Sequence, residues 1–88
     1  MYPAAPNPLN PTTTIRFELV RDGHVELAIY DLEGRRVRTL AGGFLPAGEH
    51  REIWDGRDDA GQGVASGVYL VRLRGTDFAQ ARRVVLVR

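Results

Sequence analysis

One serine, Ser66, two histidines, His24 and His50, and eleven acidic residues are what this chain offers for a nucleophile, a base and an orienting acid. A Ser–His–Asp relay can be drawn from them on paper, but such sites are defined by geometry and not by inventory. Ser66 precedes Gly67 at the start of an apolar run, where a hydroxyl commonly closes a turn. His24 follows Asp22-Gly23, a tight-turn dipeptide, and is expected in solvent. The turn reading of these residues is therefore preferred, and no catalytic residue is assigned. The acidic stretch "WDGRDDAG" offers a second chemistry: Asp55, Asp58 and Asp59 could supply oxygens to calcium, a hard cation that takes six to eight. Their spacing does not match the alternate-residue ligands of an EF-hand loop. In the competing reading, aspartates cap turns and glycines supply positive φ. Two histidines on different expected strands, with no third ligand at a recognisable spacing, make a poor transition-metal site. No cofactor is expected. Trp54, Tyr30, Tyr69, Phe17, Phe44 and Phe78 could furnish a sugar platform, although rings beside strands more often fill a core.

The elements that would position these residues are strands. From Thr13 the period is two: Ile15, Phe17 and Leu19 face one way, Arg16 and Glu18 the other. Asp22-Gly23 between two alternating runs predicts a type I′ hairpin. A second strand carries Val25, Leu27 and Ile29, and "DLEGRR" predicts another hairpin turn around Gly34. "RVRTL" reads as a short strand with Val37, and "AGGFLPAGEH" as a turn-rich crossing. In "HREIW" the residues His50, Glu52 and Trp54 share a face, and Trp54 is expected inside, with Glu52 near an edge or paired with an arginine. "DGRDDAGQGVASG" is a loop. "VYLVRLRG" places Tyr69, Val71 and Leu73 on one face, "GTD" turns the chain, and "FAQARRVVLV" closes it. Roughly six or seven short strands with turn signals between them, and no helical period, predict an all-β antiparallel sandwich or small barrel.

Composition fits one small domain. Hydrophobic residues make up 43% of the 88, typical of a globular fold. There is no cysteine, so no disulfide supports the fold. All twelve basic residues are arginine, and net charge is +1, which gives no strong pull toward nucleic acid or anionic lipid. No apolar run approaches the ~18 residues of a membrane span, so membrane insertion is not expected. The N-terminus has neither the basic nor the apolar part of a secretory leader. Residues 2–11 hold every proline but Pro46 and read as an extended linker, residues 1–11, ahead of a domain at 12–88. Met1 against that stretch suggests a piece of a longer protein with an added start methionine.

Taken together, these residues resemble a known family. "YPAAPNPLNPTTTIRFEL" is similar to the "PNPFNPTTTIRF" opening of C-terminal sorting domains of the type IX secretion system, signatures shared with the Ig-like domain of the flagellar hook-cap protein. "VELAIYDLEGRRVRTL" is similar to the family's second and third strands. "LPAGEHREIWDGRDDAGQGVASGVYLVRL" resembles its run "aGxHxxxWDGxDxxGxxVxSGxYxxxL", and "RRVVLVR" its closing basic-then-apolar strand. The motif positions are Pro6, Asn7, Pro8, Asn10, Pro11, Trp54, Asp55, Gly56, Gly61, Gly67 and Tyr69. Three residues depart from the pattern: Leu9 where Phe is usual, Glu52 where an apolar residue is common, and Arg83 in place of a lysine. The resemblance implies an Ig-like sandwich of about seven strands at the C-terminus of a secreted protein. It further implies a non-catalytic address, secreted or displayed at the cell surface by way of the periplasm of a Gram-negative, Bacteroidetes-like bacterium. Its partners would be outer-membrane secretion proteins and a covalently attached N-terminal cargo, which is cut from the address and anchored to surface lipopolysaccharide. The expected recognition surface is the last strand, Arg82, Arg83, Val84, Val85, Leu86, Val87 and Arg88, as an edge offering free N–H and C=O groups. Its alternative is ordinary pairing within the sandwich with the arginines solvated. A passive Ig-like spacer or hook-cap-like structural domain, and a carbohydrate-binding module, are the competing functions.

Overall fold

A computed structural model describes residues 1–7 and 12–87. Pro8, Leu9, Asn10, Pro11 and Arg88, all singled out above, lie outside the described residues. Among the described residues the chain forms six strands and no helix: β1 Thr13–Leu19, β2 Gly23–Tyr30, β3 Arg36–Leu45, β4 Gly48–Trp54, β5 Gly67–Gly75 and β6 Ala79–Leu86. They build two antiparallel sheets, β1-β4 and β3-β2-β5-β6. The alternation seen in the sequence sets the packing. Ile15, Phe17, Leu19 and Trp54 of the first sheet are buried with Val25, Leu27, Ile29, Tyr69, Val71, Leu73, Val84 and Leu86 of the second, giving the all-β sandwich. In β4 the expected face is the inner one: Trp54 is fully buried, His50 and Glu52 are half-buried, and Ile53 points out, 57% exposed. Glu52 sits opposite Ile15 in the β1–β4 register.

The Asp22-Gly23 hairpin does not form. β1 pairs with β4, while β2 pairs with β3 and β5, so the chain crosses from one sheet to the other at residues 20–22. Gly23 is not among the glycines with positive φ, which a type I′ turn demands. Asp22 instead accepts a 2.7 Å hydrogen bond from Ala47 N, tying down the β3–β4 connection. A hairpin would set the apolar faces of β1 and β2 side by side; the crossing sets them face to face, and burial of both decides the outcome. The "DLEGRR" turn does close as a hairpin, with Gly34 at φ 87 and its N–H bonded to Asp31 O. β3 is longer than expected. Gly42 and Gly43 pair in register with Glu26 and Val25 inside the strand, and the register shifts of the β2–β3 ladder fall further along, between Leu27 and Ala28 and between Ile29 and Tyr30.

Residues 1–7 differ from the expected linker as well. Ala5 pairs with Thr14 through two backbone hydrogen bonds of 3.2 and 2.9 Å, Tyr2 N donates to Arg16 O at 3.0 Å, and Ala4 is buried in the core. The Tyr2 ring lies under the Arg16 guanidinium, 4.9 Å from it. This segment therefore runs as a partial third strand beside β1. Proline spacing signals extended backbone, which suits an edge strand as well as a linker.

Candidate functional site

Trp54 organises the "WDGRDDAG" loop. Its indole N–H donates to Arg57 O at 2.9 Å, and its ring meets Tyr69 edge-on at 5.4 Å. Tyr69 O–H in turn donates to Ala65 O at 2.6 Å, holding the far end of the loop. The three aspartates proposed as calcium ligands face N–H groups. Asp55 accepts from Arg57 N at 3.1 Å and from the Arg38 guanidinium at 3.3 Å. Asp58 accepts from Ala60 N and Gln62 N at 3.0 and 2.9 Å. Asp59 accepts from Thr39 N at 3.0 Å. Gly56 and Gly61, at φ 76 and 84, provide the left-handed bends, and Gly67 opens β5. The carboxylates thus build the loop, and among the described residues no group of three His, Cys, Asp or Glu is gathered as for a metal.

Asp59 does more than close a turn. Its own N–H donates to Val37 O at 3.1 Å while its carboxylate accepts from Thr39 N. β3 is an outer strand of the four-stranded sheet, so one aspartate satisfies a step of its unpaired edge. Asp59→Ala is expected to cost about 1 kcal/mol, the net worth of such a bond, read as a lower urea midpoint at unchanged m-value.

β6 is the opposite outer strand, paired with β5 from Gly67↔Leu86 to Arg74↔Ala79. The structure splits the residues proposed there for recognition. Arg82 and Arg83 are exposed, Val85 is half-buried and Val87 is 63% exposed. Val84 and Leu86 are core residues, 0% and 3% exposed, so their side chains are closed to a partner. The edge is not open either. Asn7 Nδ2 donates to Arg83 O at 3.3 Å, and Val85 N donates to Asn7 Oδ1 at 2.9 Å. Sequence reasoning missed this contact, which joins residues 78 positions apart.

The outer face of the four-stranded sheet is basic. Glu26 sits among Arg36 (3.2 Å), Arg74 (3.6 Å) and the Tyr30 hydroxyl, while Arg72 lies over the Tyr30 ring and donates to its hydroxyl. In the β2–β3 turn, the Arg35 backbone N–H bonded to Asp31 is the main influence holding that carboxyl below its ordinary value, against the push of burial; the Arg35 guanidinium and Glu33 N–H assist. Its stabilising effect is present above the ordinary carboxylate value and fades as pH falls through the lowered one.

The triad residues do not converge. Ser66 precedes β5, at the end of the sheet where Tyr30 pairs with Leu70, whereas His24 lies at the other end, edge-on to Phe44 at 5.2 Å. His50 stacks on Phe17 and places Nε2 2.8 Å from Pro46 O, as a donor. A cleft of about 620 Å³ at the His24 end is lined by Leu19, Val25, Leu73 and Phe78 among others.

Comparison with known proteins places this geometry. The model of the FlgD Ig-like domain matches residues 9–77. Among solved structures, dimeric latent PorU from Porphyromonas gingivalis superposes with TM-score 0.73 at 23% identity, over 96% of this chain and 9% of that one. PorZ from the same organism gives 0.64 at 26% identity, over 97% of this chain and 11% of that one. FlgD from Xanthomonas campestris gives 0.60 at 26% identity, over 85% of this chain and 55% of that one. The chain thus spans about a tenth of the length of PorU and PorZ and about half of that FlgD. A search of curated proteins found no match. With the two-sheet sandwich on one side and a family match across most of its length on the other, this chain belongs to the FlgD Ig-like domain family.

Proposed function

We propose that this domain is a non-catalytic sorting label, carried at the C-terminus of a secreted cargo and read in folded form by type IX outer-membrane export proteins. The observation that carries the reading is the likeness to PorZ, described as an essential bacterial surface component of the type-IX secretion system, at 26% identity over 97% of the chain. The build agrees with it: a self-contained sandwich, with Arg82 and Arg83 exposed on an outer strand for acidic groups of a receptor. Cargo carrying it would pass through the periplasm to the cell surface or beyond. A second reading, a passive Ig-like domain of a structural assembly, is favoured by the match to FlgD, a hook-capping protein in X. campestris. The carbohydrate reading loses its tryptophan, which is in the core.

Fusing residues 1–88 to a reporter in a host with the machinery separates the first two. The label predicts reporter at the cell surface or in the medium, falling about tenfold in an Arg82→Ala/Arg83→Ala double variant that keeps its fold. Reporter retained in the periplasm would leave the passive domain as the better reading.

A further inference from the structure

The Asn7 contact with β6 has the form of a strand pairing. In an antiparallel ladder a neighbour donates to one carbonyl and accepts from a nearby N–H on the same side of the strand. Asn7 does both with one amide, donating to Arg83 O and accepting from Val85 N. Asp59 makes the matching pair of bonds to β3 with its backbone N–H, which donates to Val37 O, and its carboxylate, which accepts from Thr39 N. The two caps differ in how they are held. Asp59 sits inside a loop fixed by Trp54, Asp55 and Asp58. Asn7 sits on the N-terminal segment, which is tied to β1 by the bonds of Tyr2 and Ala5, by the Tyr2 ring under Arg16 and by burial of the small Ala4 side chain. The segment is also tied to β6 by the Met1 amino group, which donates to Gln80 Oε1. The Asn7 cap therefore opens if the N-terminal segment lifts, without disturbing the loop that holds Asp59.

We propose that the β6 edge is a strand-addition site gated by Asn7, and that its occupant is an acidic, extended segment of a partner protein. Charge selects the occupant. β6 carries Arg82 and Arg83 and no carboxylate. Among the described residues neither arginine has an acidic partner. On the adjacent strand, Arg72 and Arg74 stand in register with Ala81 and Ala79, so they share a face with Arg83. A strand laid about 4.8 Å from β6 would bring its own side chains beside Arg83 on one face and Arg82 on the other, where carboxylates are attracted and basic residues repelled. Arg72 and Arg74 lie one strand further in, and Arg74 is already 3.6 Å from Glu26. Main-chain hydrogen bonds would supply affinity and the arginines selectivity. Displacing the N-terminal segment, by tension or by a competing contact, opens the site.

The gate deepens the reading of β6 as the recognised surface, but its test is independent of export. The probe is a short fluorescein-labelled peptide of alternating glutamate and valine, with an arginine–valine peptide as control, titrated by anisotropy at constant salt. Removing the cap in Asn7→Ala should tighten binding about tenfold, because a closed gate lowers apparent affinity by the fraction open. Asn7→Asp, which keeps the acceptor for Val85 N and loses the donor to Arg83 O, should fall between and remains informative if the alanine variant folds poorly. Bound peptide should protect the Val85 amide of Asn7→Ala from hydrogen exchange, and Arg82→Glu/Arg83→Glu in that background should abolish binding. Equal affinity for wild type and both Asn7 variants, no binding to any, or binding that leaves the Val85 amide unprotected would overturn the gated edge. A reporter retained in the periplasm overturns the sorting function and not the gate.

Discussion

Trp54→Ala is expected to leave the domain close to unfolded at room temperature. The indole is fully buried between the sheets, packs edge-on against Tyr69 and donates to Arg57 O. Truncating a buried tryptophan costs about 3–5 kcal/mol through lost transfer energy and the cavity left behind. A domain of this size holds only about 5–8 kcal/mol in total. The damage also reaches the acidic loop, since Arg57 O loses its donor and the loop its support. Trp54→Phe keeps most of the ring volume and loses the N–H, so it should cost clearly less. Urea unfolding followed by circular dichroism reads both. A loss below about 1 kcal/mol for the alanine variant would mean that the ring contributes nothing as a core residue.

Removing residues 82–88 should be equally severe, for a different reason. The deletion takes Val84 and Leu86 out of the core, each worth about 1.5–3 kcal/mol of burial. It also strips β5 of its partner from Gly67 to Val71 and exposes the side chains that β6 covered. The sum matches the whole stability of the domain, so the truncated chain is expected to be unfolded and prone to aggregate through the β5 edge. Lost export after this truncation would therefore report unfolding and not recognition. Arg82→Ala/Arg83→Ala is the informative change: both side chains are exposed, and its stability should stay within about 0.5 kcal/mol of wild type. A truncated chain with a cooperative melt near the wild-type temperature would show that β6 is dispensable to the core.

Local alternation made much of this fold legible. Ile15, Phe17 and Leu19, then Tyr69, Val71 and Leu73, announce their inner faces by period alone, and the structure buries all six. Trp54 could be placed inside despite the polar company of His50 and Glu52, because a ring of that size outweighs two residues that can reach the rim. The partner of β1 was not legible. A period of two states which face is apolar and not which strand lies alongside, so Asp22-Gly23 could promise a hairpin that burial overruled. Gly42 and Gly43 misled in the same way, since glycine can sit inside a paired strand as well as in a turn, and both pair in continuous register with Glu26 and Val25. At the candidate site, the motif residues were visible as types while their work was not. Asn7 and Val85 are 78 positions apart, and Asp59 and Thr39 twenty. Contacts from a side chain to a distant strand edge leave no periodic trace, and Asp55, Asp58 and Asp59 suggest ligands until their N–H partners are seen.

Closure of both outer strands by Asn7 and Asp59 is tested most directly by amide hydrogen exchange at Val85 and Thr39. In an uncapped sheet, N–H groups pointing off the edge strands exchange as freely as loop amides. The expected result is protection of both in the wild type, lost at Val85 alone in Asn7→Ala and at Thr39 alone in Asp59→Ala. Free exchange of both amides in the wild-type protein would contradict closure, and with it the gate on β6.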